Sequence, residues 1–263
     1  MSTMTYPLRD SATMLRRNFT HVKRYPSMTV PLLGTPIVLL VLFVYVFGGT
    51  MGDGLPGASG GRAEYLDYIV PGLMLMTAAT VAQGTTISVA KDMYEGIVAR
   101  FRSMSISRGS ILTGHVLGST IQMVFSVAVI VGVAALLGYR PEADGFGWLG
   151  VAGVTALIGF ALAWITTALG TVCSTIEMAG TLPMPLMFLP MLGSGFVPTD
   201  SMPTVLRWFA DYQPFTPMIE SLRGLLAGRP DTAATWAAVA WCLGIALVGY
   251  LWSRNRFERA SSV

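Results

Sequence analysis

The chain has 263 residues, of which 53% are apolar and only 12% charged, with a mean hydropathy of +0.60. Soluble domains carry about a quarter charged residues, so this composition excludes an ordinary water-soluble fold and points to a bilayer as solvent. The net charge of +3 is too small for a nucleic-acid footprint, and two cysteines (Cys173 and Cys242, both in apolar stretches) make no disulfide framework.

Taken from the start, residues 1–27 are polar and basic and read as a cytoplasmic segment. The apolar run that follows them is too long for the core of a cleavable signal peptide. Within 11–25 (SATMLRRNFTHVKRY), Ala12, Leu15, Phe19 and Val22 share one helical stripe, with Arg16, Arg17, Lys23 and Arg24 mostly elsewhere. That pattern suits a helix lying on the inner leaflet, its cations near anionic headgroups. A plain basic flank that only sets topology is the alternative.

About 20 apolar residues cover the hydrocarbon core at 1.5 Å per residue. Six windows meet that length: 28–48, 68–90, 111–138, 147–173, 178–198 and 232–252. The expectation is an all-α integral membrane domain over 28–252 with a tail at 253–263. Pro183, Pro185, Pro190 and Pro198 interrupt the fifth window; they remove backbone donors, so irregular backbone there must be buried in protein or line a cavity. Residues 199–231 are aromatic but weakly apolar, and read either as short outer helices that dip into the membrane without crossing or as an ordinary loop.

Orientation follows from the basic residues in the connections. The N-terminal segment, the 91–110 loop, the 174–177 turn and the tail hold 12 of the 17 lysines and arginines, and the opposite side holds 5. Both ends are therefore expected in the cytoplasm. Aromatic residues mark the water boundaries, with Tyr45, Phe47, Tyr65, Tyr68, Phe146 and Trp148 outside and Tyr250 and Trp252 inside. Basic residues are Arg except at Lys23 and Lys91, a bias that fits a GC-rich bacterium and its plasma membrane.

The 91–110 loop (KDMYEGIVARFRSMSISRGS) spaces Met93, Ile97 and Phe101 four apart, with Val98 beside them. Asp92 falls near the expected helix start and Arg100 and Arg102 near its end, as the macrodipole favours. Such an amphipathic helix suits docking into a partner's groove or lying flat on lipid. Enzymatic constellations are missing from the sequence: it holds no Gly-x-x-x-x-Gly-Lys phosphate loop, and His21 and His115 lack metal-ligand spacing. Gly193-Ser194-Gly195 could suggest an intramembrane serine protease, but His115, the one histidine within the windows, lies near the opposite face, so the triplet is read as backbone packing at a broken helix. The Gly114/Gly118 pair is read as ordinary helix packing. No Asp, Glu, Lys or Arg falls in mid-membrane, where ion-coupled transporters usually place them, so energy for uphill transport would come from a separate ATPase.

Four stretches then resemble the ABC-2 family of ATP-binding-cassette permeases, in its daunorubicin-resistance (DrrB-like) branch. They are RNFTHVKRYPSMTVPLLGTPIVLLVLFVYVFGG, YIVPGLMLMTAATVAQGTTISVAKDMYEGIVARFRSMSISR, the prolines around Phe196-Val197-Pro198 and Met202-Pro203, and Gln213-Pro214 through Glu220-Ser221-Leu222-Arg223-Gly224-Leu225. Ser105 stands where that family's Pro-Ile-Ser-Arg ending has proline. The resemblance implies a transport subunit, not an enzyme, with six spans and outer re-entrant helices between spans five and six. It would pair with a second permease copy, identical or related, and two copies of a separate ABC ATPase subunit that binds ATP and Mg. By the same resemblance Met93, Tyr94, Glu95, Ile97, Val98, Arg100, Phe101 and Arg102 form the coupling helix that contacts the ATPase. Leu15, Arg16, Arg17, Phe19, Lys23 and Arg24 belong to the connecting helix. The expected cargo is an amphipathic drug, secondary metabolite or lipid moved outward, giving drug efflux and antibiotic resistance; a dedicated lipid or glycan permease is the alternative, and a membrane-embedded enzyme the reading from another class. Thr77, Thr80, Gln83, Gly84 and Ser88 either line the substrate path or simply pack helices.

Overall fold

The computed structural model describes residues 26–54, 61–94 and 108–259. The connecting-helix residues Leu15, Arg16, Arg17, Phe19, Lys23 and Arg24 lie outside them, as do Glu95, Ile97, Val98, Arg100, Phe101 and Arg102. Among the described residues the fold is all helical, and five helices are long and apolar enough to cross a membrane.

Helix α1 spans Pro26–Leu42 and opens on proline, whose missing N–H costs nothing in a first turn. It continues through a π-turn at Phe43–Phe47 into α2, Gly48–Gly52. This first apolar helix therefore runs beyond the expected boundary at 48. Next comes α3, Arg62–Tyr94, 33 residues long, which at 1.5 Å per residue measures roughly 50 Å. The helix extends past the window of 68–90 at both ends. Asp92, placed at the start of a separate helix by the sequence reading, instead sits in the last turn of α3. No break residue separates Ala90 from Lys91, so the helix simply continues.

Helix α4 covers Arg108–Leu136 and stops at Gly138, whose φ of +106° a side chain would resist. Asp144 caps α5, Gly145–Gly170, accepting from the Gly147 amide at 2.6 Å. Helix α10, Thr232–Arg259, is capped by Asp231, which accepts from Ala233 and Ala234. Between α5 and α10 the fifth window, expected to be interrupted by its prolines, forms no continuous rod. Its window holds α6, Ile176–Thr181, then α7, Met184–Phe188, then turns to Pro198. Pro183 ends the first piece and Pro190 follows the second, each removing a backbone donor. Residues 199–231 contain short helices: a 3₁₀ turn at Thr199–Ser201, α8 at Thr204–Tyr212 and α9 at Phe215–Leu226.

Burial ranks the long helices. Of the most apolar window of α3, 89% is buried, against 22% for α1 and for α10. Helix α3 packs against α1, α4, α5, α6, α7 and α9, so it is the axis of the bundle. The exposed faces of the other helices carry Val38, Val46, Phe125, Trp236 and Leu247, an apolar exterior that only lipid or another protein would wet.

Candidate functional site: the two polar ends of one buried helix

The outer end of α3, in the orientation expected from the charges, holds the broken segment by its backbone. The Tyr68 hydroxyl donates to the Ser194 carbonyl at 2.9 Å, and the Tyr65 hydroxyl reaches the Phe196 carbonyl at 3.5 Å. Arg223 of α9 donates through Nη2 to both Ser194 O, at 2.7 Å, and Tyr68 O, at 3.1 Å. Its Nη1 pairs with Glu220, and its guanidinium lies 4.0 Å from the Tyr68 ring centroid. One planar fork thus joins three segments, which a lysine's point charge would not do. Gln213 adds a fourth tie, donating to Leu189 O at 3.0 Å. These donors answer the carbonyls that the prolines and turns leave without helical partners.

Close approach makes these ties possible. A Cβ at Gly72 would overlap the Gly195 backbone, and one at Gly193 would meet the Gln213 amide and the Thr216 hydroxyl. Gly193-Ser194-Gly195 is therefore backbone packing: His115 lies near the far end of α3, and Ser194 Oγ is buried without a hydrogen-bond partner.

Beside this knot opens a cavity of about 740 Å³ whose walls include Glu64, Asp67, Tyr139, Arg140, Glu142 and Arg229. Tyr139 is buried there at 5% exposure. Burial first, then the neighbouring Asp67 carboxylate, push its phenol well above the ordinary value, so it stays neutral.

The inner end of α3 carries Asp92, whose carboxylate lies 3.0 Å from His115 Nε2 on α4, both side chains mostly buried. Just beyond it Met93 packs against the core, while Tyr94 is 75% exposed. Between the ends, Thr77 and Thr80 donate to Leu73 O and Met76 O one turn back, at 2.7 and 2.9 Å. Both are buried, whereas Gly84 and Ser88 are half-buried. The Gln83 amide donates to Gly180 O of α6 at 2.5 Å. Gln83 and Tyr68 are fifteen positions apart on α3, so from Gly180 to Ser194 the chain climbs about 22 Å along that helix.

The family described as ABC-2 type transporter matches residues 10–227. The chain belongs to the ABC-2 type transporter family. Among curated relatives, the daunorubicin resistance ABC transporter permease protein DrrB1 of Streptomyces coeruleorubidus is 30% identical over 249 residues, covering 90% of this chain and 83% of its own. A probable doxorubicin resistance ABC transporter permease protein of Mycobacterium tuberculosis is 24% identical over 226 residues, 86% of this chain and 81% of its own. Nodulation protein J of Rhizobium leguminosarum bv. trifolii is 27% identical over 213 residues, 79% of each.

Several residues of this ABC-2 chain escaped the sequence reading. Tyr65 and Tyr68 looked like interfacial aromatics, yet Tyr65 is only 1% exposed and both hydroxyls serve the broken segment. Their i, i+3 spacing puts them on one helix face, and the proline-rich window needed donors; together those were the available signal. Arg223 was counted as an outer-loop cation, and only its neighbours in space reveal its role.

Proposed function

We propose that this chain is the membrane-crossing subunit of an ATP-driven exporter that carries an amphipathic drug, secondary metabolite or lipid out of a bacterial cell. The chain crosses the plasma membrane six times with both ends in the cytoplasm, the fifth crossing being the broken segment. The roughly 22 Å climb of that segment along α3 is the observation that carries the reading, because it fits a further, broken crossing of the kind the charge distribution expects. Family membership and the drug-resistance permeases among its relatives support the transport role.

Two copies of a separate ATPase bind ATP and Mg, dock on the 91–110 segment and move it. The passage forms between two permease copies. Tyr94, exposed at the end of α3, fits a contact with the ATPase, as do Glu95, Ile97, Val98, Arg100, Phe101 and Arg102 by sequence. Thr77 and Thr80 already spend their hydroxyls on their own helix, which favours packing for them over lining a path.

The test is co-expression with a partner ABC ATPase subunit and measurement of daunorubicin efflux from energised cells. Efflux should appear only with both subunits, and replacing Arg100 and Phe101 together by Ala should abolish it and weaken co-purification. Efflux by the permease alone, or an unaffected double variant, would refute the assignment.

A further inference from the structure

Asp92 and His115 meet where the chain leaves α3 and re-enters through α4. Their contact joins the last turn of one helix to the second turn of the other, at 3.0 Å and with 13% and 14% of the side chains exposed. Two turns back along α3, the Thr85 hydroxyl meets the Ser119 hydroxyl at 2.5 Å. Both contacts follow one antiparallel seam, seven positions apart on α3 and four on α4. A short contact between two mostly buried polar side chains holds the ends of α3 and α4 at a fixed spacing.

Those same helices bracket residues 95–107, and α3 is fastened at its other end to the broken segment through Tyr68 and Arg223. We propose that Asp92 and His115 are positioning residues that clamp α3 and α4 into one lever at its driven end. Rigid helices transmit displacement only while their mutual register holds. With the clamp closed, a push on 95–107 moves both helices together and reaches the outer knot along α3. With it open, the helix ends splay and the stroke is lost. This rests on the exporter reading, in which the ATPase acts on that segment.

The experiment uses the whole permease–ATPase complex in lipid vesicles, with daunorubicin as the transported probe. It compares the parent with Asp92→Ala, His115→Ala, the double variant and the exchange Asp92→His/His115→Asp. Four quantities are read: permease abundance, ATPase co-purified, ATP hydrolysed and daunorubicin moved. Each single variant should lose about tenfold in daunorubicin moved per ATP, within the range reported for positions along a coupling route. Abundance and co-purification should hold. The double variant should be no worse than either single, as expected of residues acting through one contact, and the exchange should recover most of the loss.

A second variant separates leverage from local chemistry. In a chain with Cys173 and Cys242 replaced by Ala, a disulfide between Thr85→Cys and Ser119→Cys should restore coupling to Asp92→Ala when oxidised and lose it when reduced. Unchanged transport per ATP in the single variants overturns the proposal. So does a transport loss that only tracks lost abundance or lost ATPase, which would make the pair a folding contact. A parent complex that moves neither daunorubicin nor a labelled phospholipid with ATP is a different result, and defeats the exporter reading itself.

Discussion

Arg223 shows how much one side chain can hold when its partners are backbone. Hydrogen bonds to a charged group contribute about 1.5–3 kcal/mol when buried, and this guanidinium serves two carbonyls, one carboxylate and one aromatic face. Arg223→Ala should therefore lower stability by about 2–3 kcal/mol, read as a lower melting temperature in detergent and faster proteolysis within 189–198. Arg223→Lys should recover less than half, because an ammonium cannot reproduce the fork. Melting like the parent would show that Tyr68 and Gln213 suffice. The role of position 223 was not visible in the sequence, since its two carbonyl partners lie 29 and 155 positions away along the chain.

At the scale of elements, glycine decides which helices touch. A Cβ at Gly249 of α10 would come within 2.6 Å of the Ile165 amide and the Trp164 carbonyl carbon of α5, while one at Gly244 would meet nothing within 4 Å. The neighbouring Trp164 and Tyr250 rings meet edge to face at 5.0 Å between centroids. Gly249→Ala should then destabilise by about 1–3 kcal/mol through overpacking, and Gly244→Ala should leave the melting temperature nearly unchanged. Equal effects from the two would mean that α5 and α10 can slide apart freely. The existence of α3, α4, α5 and α10 was legible because an apolar run of that length has one solution in lipid. Their ends were less so: α3 carries charges at both tips that hydropathy alone assigns to loops. The fifth window was legible as broken, from its four prolines, but not the donors that repair it.

For the whole molecule, the orientation makes its own prediction. Asp200 lies in the exposed 3₁₀ turn beside the outer cavity, whereas Cys173 lies past the opposite end of α5. In intact cells a membrane-impermeant maleimide should label Asp200→Cys, and should label Cys173 only after permeabilisation. The reverse pattern would invert the topology and remove the ATPase from 91–110. Burial of α3 at the centre could not be read from hydropathy, which scores it below the less buried α1, α4 and α10. Threonines, glycines and a glutamine dilute its apolar score, although most of those residues bond or pack inside the protein.

The fastening of the broken segment through Leu189 O, Ser194 O and Phe196 O has a consequence for how such a protein can diverge. A carbonyl is the same whatever side chain sits beside it. Exposed positions of this stretch, such as Met191 and Leu192, can therefore exchange side chains while its anchors stay engaged.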